Sequence, residues 1–288
     1  MQCMLRYGVL ERLDIPTQLT TLGFALLVLA TLCIAAAGYI INDSYDSIAD
    51  TINKPTRVYI GKHISEKTAM RLYVVLNSIG LICGFFIANS IGKSPFLILF
   101  VFIIIALHLY SSTLKPLPFI GNITVSLCIV ASLLIVGLFE LGINTNSGFT
   151  TQQTTAWKLI IAFSIFAGML NLIRELIKDL EDIQGDHQAG YKTLPILLGI
   201  HRTAQLTAIL TVLCIFGSAL YIFVYVETTW MLILFVLTIL GPLIYISTQL
   251  WEASKKKQFT RLSIAVKLIM GIGILLLPLL AKTIQYAS

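Results

Sequence analysis

A chain of 288 residues that is 57% hydrophobic and only 12% charged lies far outside the composition of a water-soluble globular protein. Its formal net charge of +6 is spread over the connections between apolar runs rather than gathered into a nucleic-acid-binding patch. The five cysteines (Cys3, Cys33, Cys83, Cys128, Cys214) show no paired spacing, which argues against a zinc site and a disulfide framework.

The first 18 residues carry Arg6, Glu11, Arg12 and Asp14 and so cannot cross a bilayer. Apolar segments then recur at or near the length of about 20 residues that a hydrocarbon core needs. They run near Leu19 to Ile41, Ser65 to Ala88, Phe96 to Tyr110, Phe119 to Leu141, Trp157 to Lys178, Thr203 to Val226, Thr229 to Leu250 and Ser263 to Gln285. The third is short, and lengthens only if Ser111-Ser112-Thr113 continues its helix. The expected fold is all-α, a multi-pass transmembrane helical bundle of about eight spans forming a single domain over residues 1–288.

Basic residues collect in alternate connections: Lys54, Arg57, Lys62 and Lys67; then Lys115; then Lys178, Lys192 and Arg202; then Lys255, Lys256, Lys257 and Arg261. Those loops are expected to face the cytoplasm. An even number of spans then leaves the first residues outside without an export signal, so a helix upstream of Met1 is expected.

Two acidic constellations stand out. The first follows the opening span, where Asp43, Asp46 and Asp50 sit three and four residues apart beside Asn42; the second follows the fifth span, where Asp179, Asp182 and Asp186 repeat that spacing. Positions i, i+3 and i+7 fall within about 60° on an α-helix, so each trio lines one face if the helix runs through it. Stacked carboxylates repel, and the arrangement makes sense when a cation lies among them. Oxygen ligands without His or Cys favour Mg²⁺. The opening and fifth spans run in the same direction, so both stripes emerge on one side of the membrane. Asn171, Arg174, Glu175 and Lys178 continue the second stripe into the apolar span, where ionisable groups are costly unless they line a polar site. Arg174 and Lys178 suit diphosphate oxygens, and Lys54, Arg57 and Lys192 flank the stripes. His63, His108, His187 and His201 lack metal-ligand spacing and read as loop or packing residues.

The stretch Gly38-Tyr39-Ile40-Ile41-Asn42-Asp43-Ser44-Tyr45-Asp46 through Asp50, with Asn53-Lys54-Pro55-Thr56-Arg57, resembles the first signature of the UbiA superfamily of intramembrane prenyltransferases. Arg174-Glu175, Lys178-Asp179, Glu181-Asp182, Gly185-Asp186, Gly190 and Thr193-Leu194-Pro195 resemble its second, and Tyr110 through Lys115 is similar to its Tyr/Lys loop. Lys115 stands one residue further from Tyr110 than the common Tyr-x-x-x-Lys form. The resemblance implies nine spans around a central cavity, the first of which is expected to be missing here. It also implies Mg²⁺ held by Asn42, Asp43, Asp46, Asp50, Asp179, Asp182 and Asp186, and a prenyl diphosphate as donor. Asp46, Asp50, Asp182, Asp186 and Tyr110 would be catalytic. Lys54, Arg57, Lys115, Asn171, Arg174, Lys178 and Lys192 would bind substrate.

The chemistry expected is ionisation of the allylic C–O bond and attack by a lipid-soluble acceptor. The form of the second signature leans towards geranylgeranylglyceryl phosphate rather than an aromatic quinone precursor. A transporter or flippase of an anionic lipid, and a non-catalytic family member, are the other classes to weigh.

Overall fold

The computed structural model describes residues 1–53, 55–142 and 148–285, apart from the side chains of Arg57, Ile284 and Gln285. Among the described residues, eight helices are long and apolar enough to cross a membrane: Thr21–Tyr45, Glu66–Ser90, Ser94–Leu114, Ile120–Glu140, Thr151–Gln188, Ile200–Tyr225, Thr229–Glu252 and Lys256–Thr283. The all-α expectation and the span count hold. The third span does continue through Ser111-Ser112-Thr113, and the fifth runs well past Lys178. The chain falls into two compact units, one of Met1–Thr17, Ile129–Glu181 and Leu198–Ser288, the other of Gln18–Cys128 and Asp182–Leu197.

In the unit that contains the later spans, Leu170, Ile173, Ile177, Ala204, Ala208, Leu243, Ile246 and Val266 share one buried cluster. Apolar burial cannot by itself drive helices together in lipid, so close approach of small residues and internal satisfaction of polar ones matter. The sixth span supplies both. Ala204 and Ala208 are buried, and the buried Thr203, Thr207 and Thr211 return their hydroxyls to the carbonyls of Gly199, Thr203 and Thr207 at 3.0, 2.8 and 2.8 Å. The segment before the first span is helical as Gln2–Leu5, Arg6–Leu10 and Glu11–Leu13, too short to cross a membrane, yet Leu5, Val9, Leu10 and Leu13 are buried. Gly8 lies so close to Pro278 that an added Cβ would meet its ring at 2.8 Å. Arg6 reaches Glu140 at 2.6 Å, so its charge is met by a fixed partner instead of water.

In the other unit the first span starts where the Thr20 hydroxyl accepts from the Gly23 amide at 3.1 Å, and the second where Ser65 does the same for Thr68 at 3.2 Å. Both are side-chain N-caps that satisfy otherwise orphaned donors. Gly80 faces Ile34 and Gly84 faces Phe100, with an added Cβ meeting each at 2.7 Å, so these glycines allow the second span to close on its neighbours.

Candidate active site

The first acidic stretch keeps helical hydrogen bonding beyond the span. The Asp46 amide donates to the Asn42 carbonyl at 2.9 Å and the Asp50 amide to the Asp46 carbonyl at 2.9 Å, while Asp46 itself (φ −82°, ψ 2°) marks a small break before the helix Ser47–Asn53. Asp43, Asp46 and Asp50 therefore keep one face, as their spacing predicts. Asp46 is buried. Its Oδ2 accepts from Asn42 Nδ2 at 2.6 Å and pairs with Lys115 Nζ, which also approaches Asn42 Oδ1 at 3.5 Å; its Oδ1 accepts from the Tyr191 hydroxyl at 3.1 Å.

Lys115 arrives by an irregular turn. After the regular helix Leu97–Leu109, residues Tyr110–Leu114 widen into a π-turn, and the Lys115 amide donates to the Tyr110 carbonyl at 2.8 Å. A π-turn closes on the fifth residue where an α-turn closes on the fourth, so a Tyr and Lys five apart here lie at about the same angle as a pair four apart on an α-helix. The additional residue between Tyr110 and Lys115 is absorbed by that bulge.

The second stretch stays helical throughout, because the helix Thr151–Gln188 continues through Asp179, Asp182 and Asp186. Asn53 grips it: its Nδ2 donates to the Asp182 carbonyl at 2.8 Å, and its Oδ1 accepts from the Gly185 amide at 3.0 Å. A Cβ at Gly185 would meet Asn53 Nδ2 at 2.4 Å and the Ala49 carbonyl at 2.5 Å, so only glycine admits this approach. Gly190 (φ 77°) then turns the chain back. Next, the Tyr191 amide donates to the Asp186 carbonyl at 2.9 Å and the Lys192 amide to the Pro116 carbonyl at 2.8 Å. Burial, then the negative charge of Asp46 with Asp186 and Asp50 behind it, push the Tyr191 phenol above its ordinary value of 10.0, so it stays a hydrogen-bond donor.

Along the membrane part of the fifth span, Asn171 is buried. Arg174 and Lys178 both donate to Glu175 Oε1, at 3.0 and 3.3 Å. Arg174 Nε is buried without a hydrogen-bond partner, an orphaned donor within the fifth span.

Residues 13–270 match the model of the UbiA prenyltransferase family. The chain belongs to that family. It is 34% identical over 200 residues to the digeranylgeranylglyceryl phosphate synthase of Pyrococcus abyssi, a match covering 69% of this chain and 64% of that relative's length. It is also similar to a solved structure of digeranylgeranylglyceryl phosphate synthase in membranes, with a TM-score of 0.69 and 26% identity over 97% of this chain and 92% of that one. A UbiA homologue from Archaeoglobus fulgidus, solved with DMAPP and Mg²⁺, shares the fold with a TM-score of 0.60 at 17% identity, over 96% of this chain and 95% of that one.

For this UbiA chain the structure joins Asn42, Asp46 and Lys115 directly and links Arg174 to Lys178 through Glu175. Asp186 is buried, whereas Asp43 and Lys192 are exposed, the latter positioned through its backbone. Lys54 and the Arg57 side chain lie outside the described residues. Sequence reasoning missed Tyr191 and the clasp made by Asn53. Asn53 stands within the first signature and Tyr191 sits between Gly190 and Lys192, but nothing in their spacing says whom they touch. Among the described residues no three His, Cys, Asp or Glu side chains form a ready-made metal site. The Asp46 carboxylate and the Asn42 amide nevertheless offer oxygen ligands, and the Lys115 ammonium already holds a positive charge against Asp46 Oδ2, so the residues present fit a hard cation which keeps waters and shares substrate phosphates.

Proposed function

We propose that this UbiA chain transfers a prenyl group from a prenyl diphosphate to a lipid-soluble acceptor, with geranylgeranylglyceryl phosphate as the acceptor and Mg²⁺ as the cofactor. The observation that carries the reading is the gathering of Asp46, Lys115 and Tyr191 beside an Asn53 clasp on the second acidic stretch. Family membership supports prenyl transfer. The shared name of the archaeal relatives supports the acceptor.

Asn42, Asp43, Asp46, Asp50, Asp179, Asp182 and Asp186 would hold Mg²⁺. Bound there, it supplies positive charge that offsets the negative charge developing on the diphosphate as the allylic C–O bond ionises. Lys115, with Lys192, Lys54 and Arg57, takes diphosphate oxygens as point charges and forks. Arg174 and Lys178 lie on the same helix as Asp182, about two turns and one turn before it, and Glu175 keeps both cations in place until an anion arrives. Asn171 orients substrate by hydrogen bonding. Tyr110, at the start of the π-turn, would stabilise the carbocation. Apolar span residues exclude the water that would quench it. The basic residues of the connections at this end support a cytoplasmic orientation.

The test incubates membranes containing the protein with labelled geranylgeranyl diphosphate and geranylgeranylglyceryl phosphate, with and without Mg²⁺. A labelled, Mg²⁺-dependent diether lipid is expected. Absence of any labelled product with this acceptor would remove the acceptor assignment, and absence with extracted membrane lipids as well would remove the transferase reading.

A further inference from the structure

Building on the magnesium-dependent reading above, we propose that the two carboxylate oxygens of Asp46 do different work. Tyr191 is a positioning residue that fixes Oδ1, while Oδ2 exchanges partners, releasing Lys115 to the diphosphate as the divalent cation arrives.

The geometry separates the two oxygens. Oδ1 accepts from the neutral Tyr191 phenol at 3.1 Å, and Oδ2 carries both the Asn42 amide and the Lys115 ammonium. A carboxylate as buried as Asp46 needs its charge met, and before any metal arrives Lys115 meets it. A divalent cation entering at Oδ2 would stand against that ammonium, and like charges cannot share one carboxylate oxygen without strong repulsion. Lys115 has to leave. It is partly exposed and carried on a flexible stem, and it leaves without loss only when a diphosphate offers new oxygens. Cation and diphosphate therefore bind cooperatively, each easing the entry of the other.

Tyr191 is held in the opposite way. Its own amide is tied to the Asp186 carbonyl, and the following amide of Lys192 to the Pro116 carbonyl, one residue beyond Lys115. Its phenol thus stays on Oδ1 and aims Oδ2 whichever partner is present, linking Asp46 to the segment that bears Asp186.

The experiment uses the full chain in lipid nanodiscs and two readouts that need no turnover. One is the binding of Mn²⁺ alone, followed by the electron paramagnetic resonance of free Mn²⁺. The other is the Mg²⁺-dependent binding of a labelled, unreactive prenyl thiolodiphosphate. Lys115→Met is expected to bind Mn²⁺ alone about tenfold more tightly than the unaltered chain and the thiolodiphosphate about tenfold more weakly, and Lys115→Gln should move both in the same directions. Tyr191→Phe should weaken Mn²⁺ binding about threefold and raise the Mg²⁺ needed for half-maximal thiolodiphosphate binding by a similar factor. The proposal is overturned if folded Lys115 variants bind Mn²⁺ no more tightly than the unaltered chain, or if Tyr191→Phe leaves both readouts unchanged. Should the unaltered chain bind the thiolodiphosphate with Mg²⁺ while the variants fail to shift, only the divided role of Asp46 falls. Should it bind neither ligand, the transferase reading falls with it.

Discussion

Two buried carboxylates in this chain are met by cations, and they are met differently. Glu140 is 0% exposed against an Arg6 side chain that is 5% exposed, whereas Asp46 is 3% exposed against a Lys115 that keeps 27% of its side chain open. The first pair is sealed at both ends, so it can only hold the N-terminal segment to the end of the fourth span. The second has an accessible cation and further donors on both oxygens, so its cation can be exchanged for another while those donors stay in place. The same charge pairing is thus closed off where both partners are sealed and open to exchange where one side chain stays accessible.

The sharpest way to break that contrast is to remove the exchangeable acid. Asp46→Ala, or Asp182→Ala on the clasped stretch, should lower turnover by roughly a thousandfold or more while the protein still inserts and melts normally, measured as Mg²⁺-dependent transfer of labelled prenyl groups. Full activity in either variant would contradict the metal role.

Removing the sealed acid should do the reverse. Glu140→Gln leaves the Arg6 charge buried and should cost about 3 to 5 kcal/mol of stability, while the double change Arg6→Met with Glu140→Met should restore most of it. Thermal melting in detergent reads this, with turnover per folded molecule expected to hold. A melting point untouched by Glu140→Gln would erase the distinction between the pairs.

Gly185→Ala comes next. Its methyl group would press on Asn53 and the Ala49 carbonyl and should cost roughly 1 to 3 kcal/mol, with a higher Mg²⁺ requirement for turnover than Asn53→Ala if the steric contact outweighs the lost hydrogen bonds.

The smallest effect concerns pH. Because the Tyr191 phenol is raised above its ordinary 10.0 in the folded chain, its contribution to stability is fully present below about pH 10 and is lost as the pH climbs through the folded value. The unaltered chain should therefore lose stability above pH 10 more steeply than Tyr191→Phe. Parallel melting curves for the two would show that the phenol is not held as described.

Much of the site was legible because its chemistry repeats a local rule. Asp43, Asp46 and Asp50, like Asp179, Asp182 and Asp186, share one helix face through spacing alone, and the structure needed only to keep each helix running. Tyr191 was not legible, since a tyrosine beside Gly190 looks like any loop aromatic until its hydroxyl is found on Asp46. Lys115 looked misplaced by one residue. The π-turn from Tyr110 resolves that, and no periodicity in Tyr110 to Leu114 announces it. The N-terminal segment was read as merely too charged to span, and the reading missed that Arg6 finds Glu140 134 residues away.

The sequence by itself determined the solvent, the number of crossings and the acidic faces, because burial of apolar length and helical periodicity act between near neighbours. Which carboxylate meets which cation was decided only by tertiary structure. Pairings such as Lys115 with Asp46, or Asn53 with the Asp182 and Gly185 backbone, join residues 69 to 132 positions apart, and their energies depend on burial that no local pattern encodes.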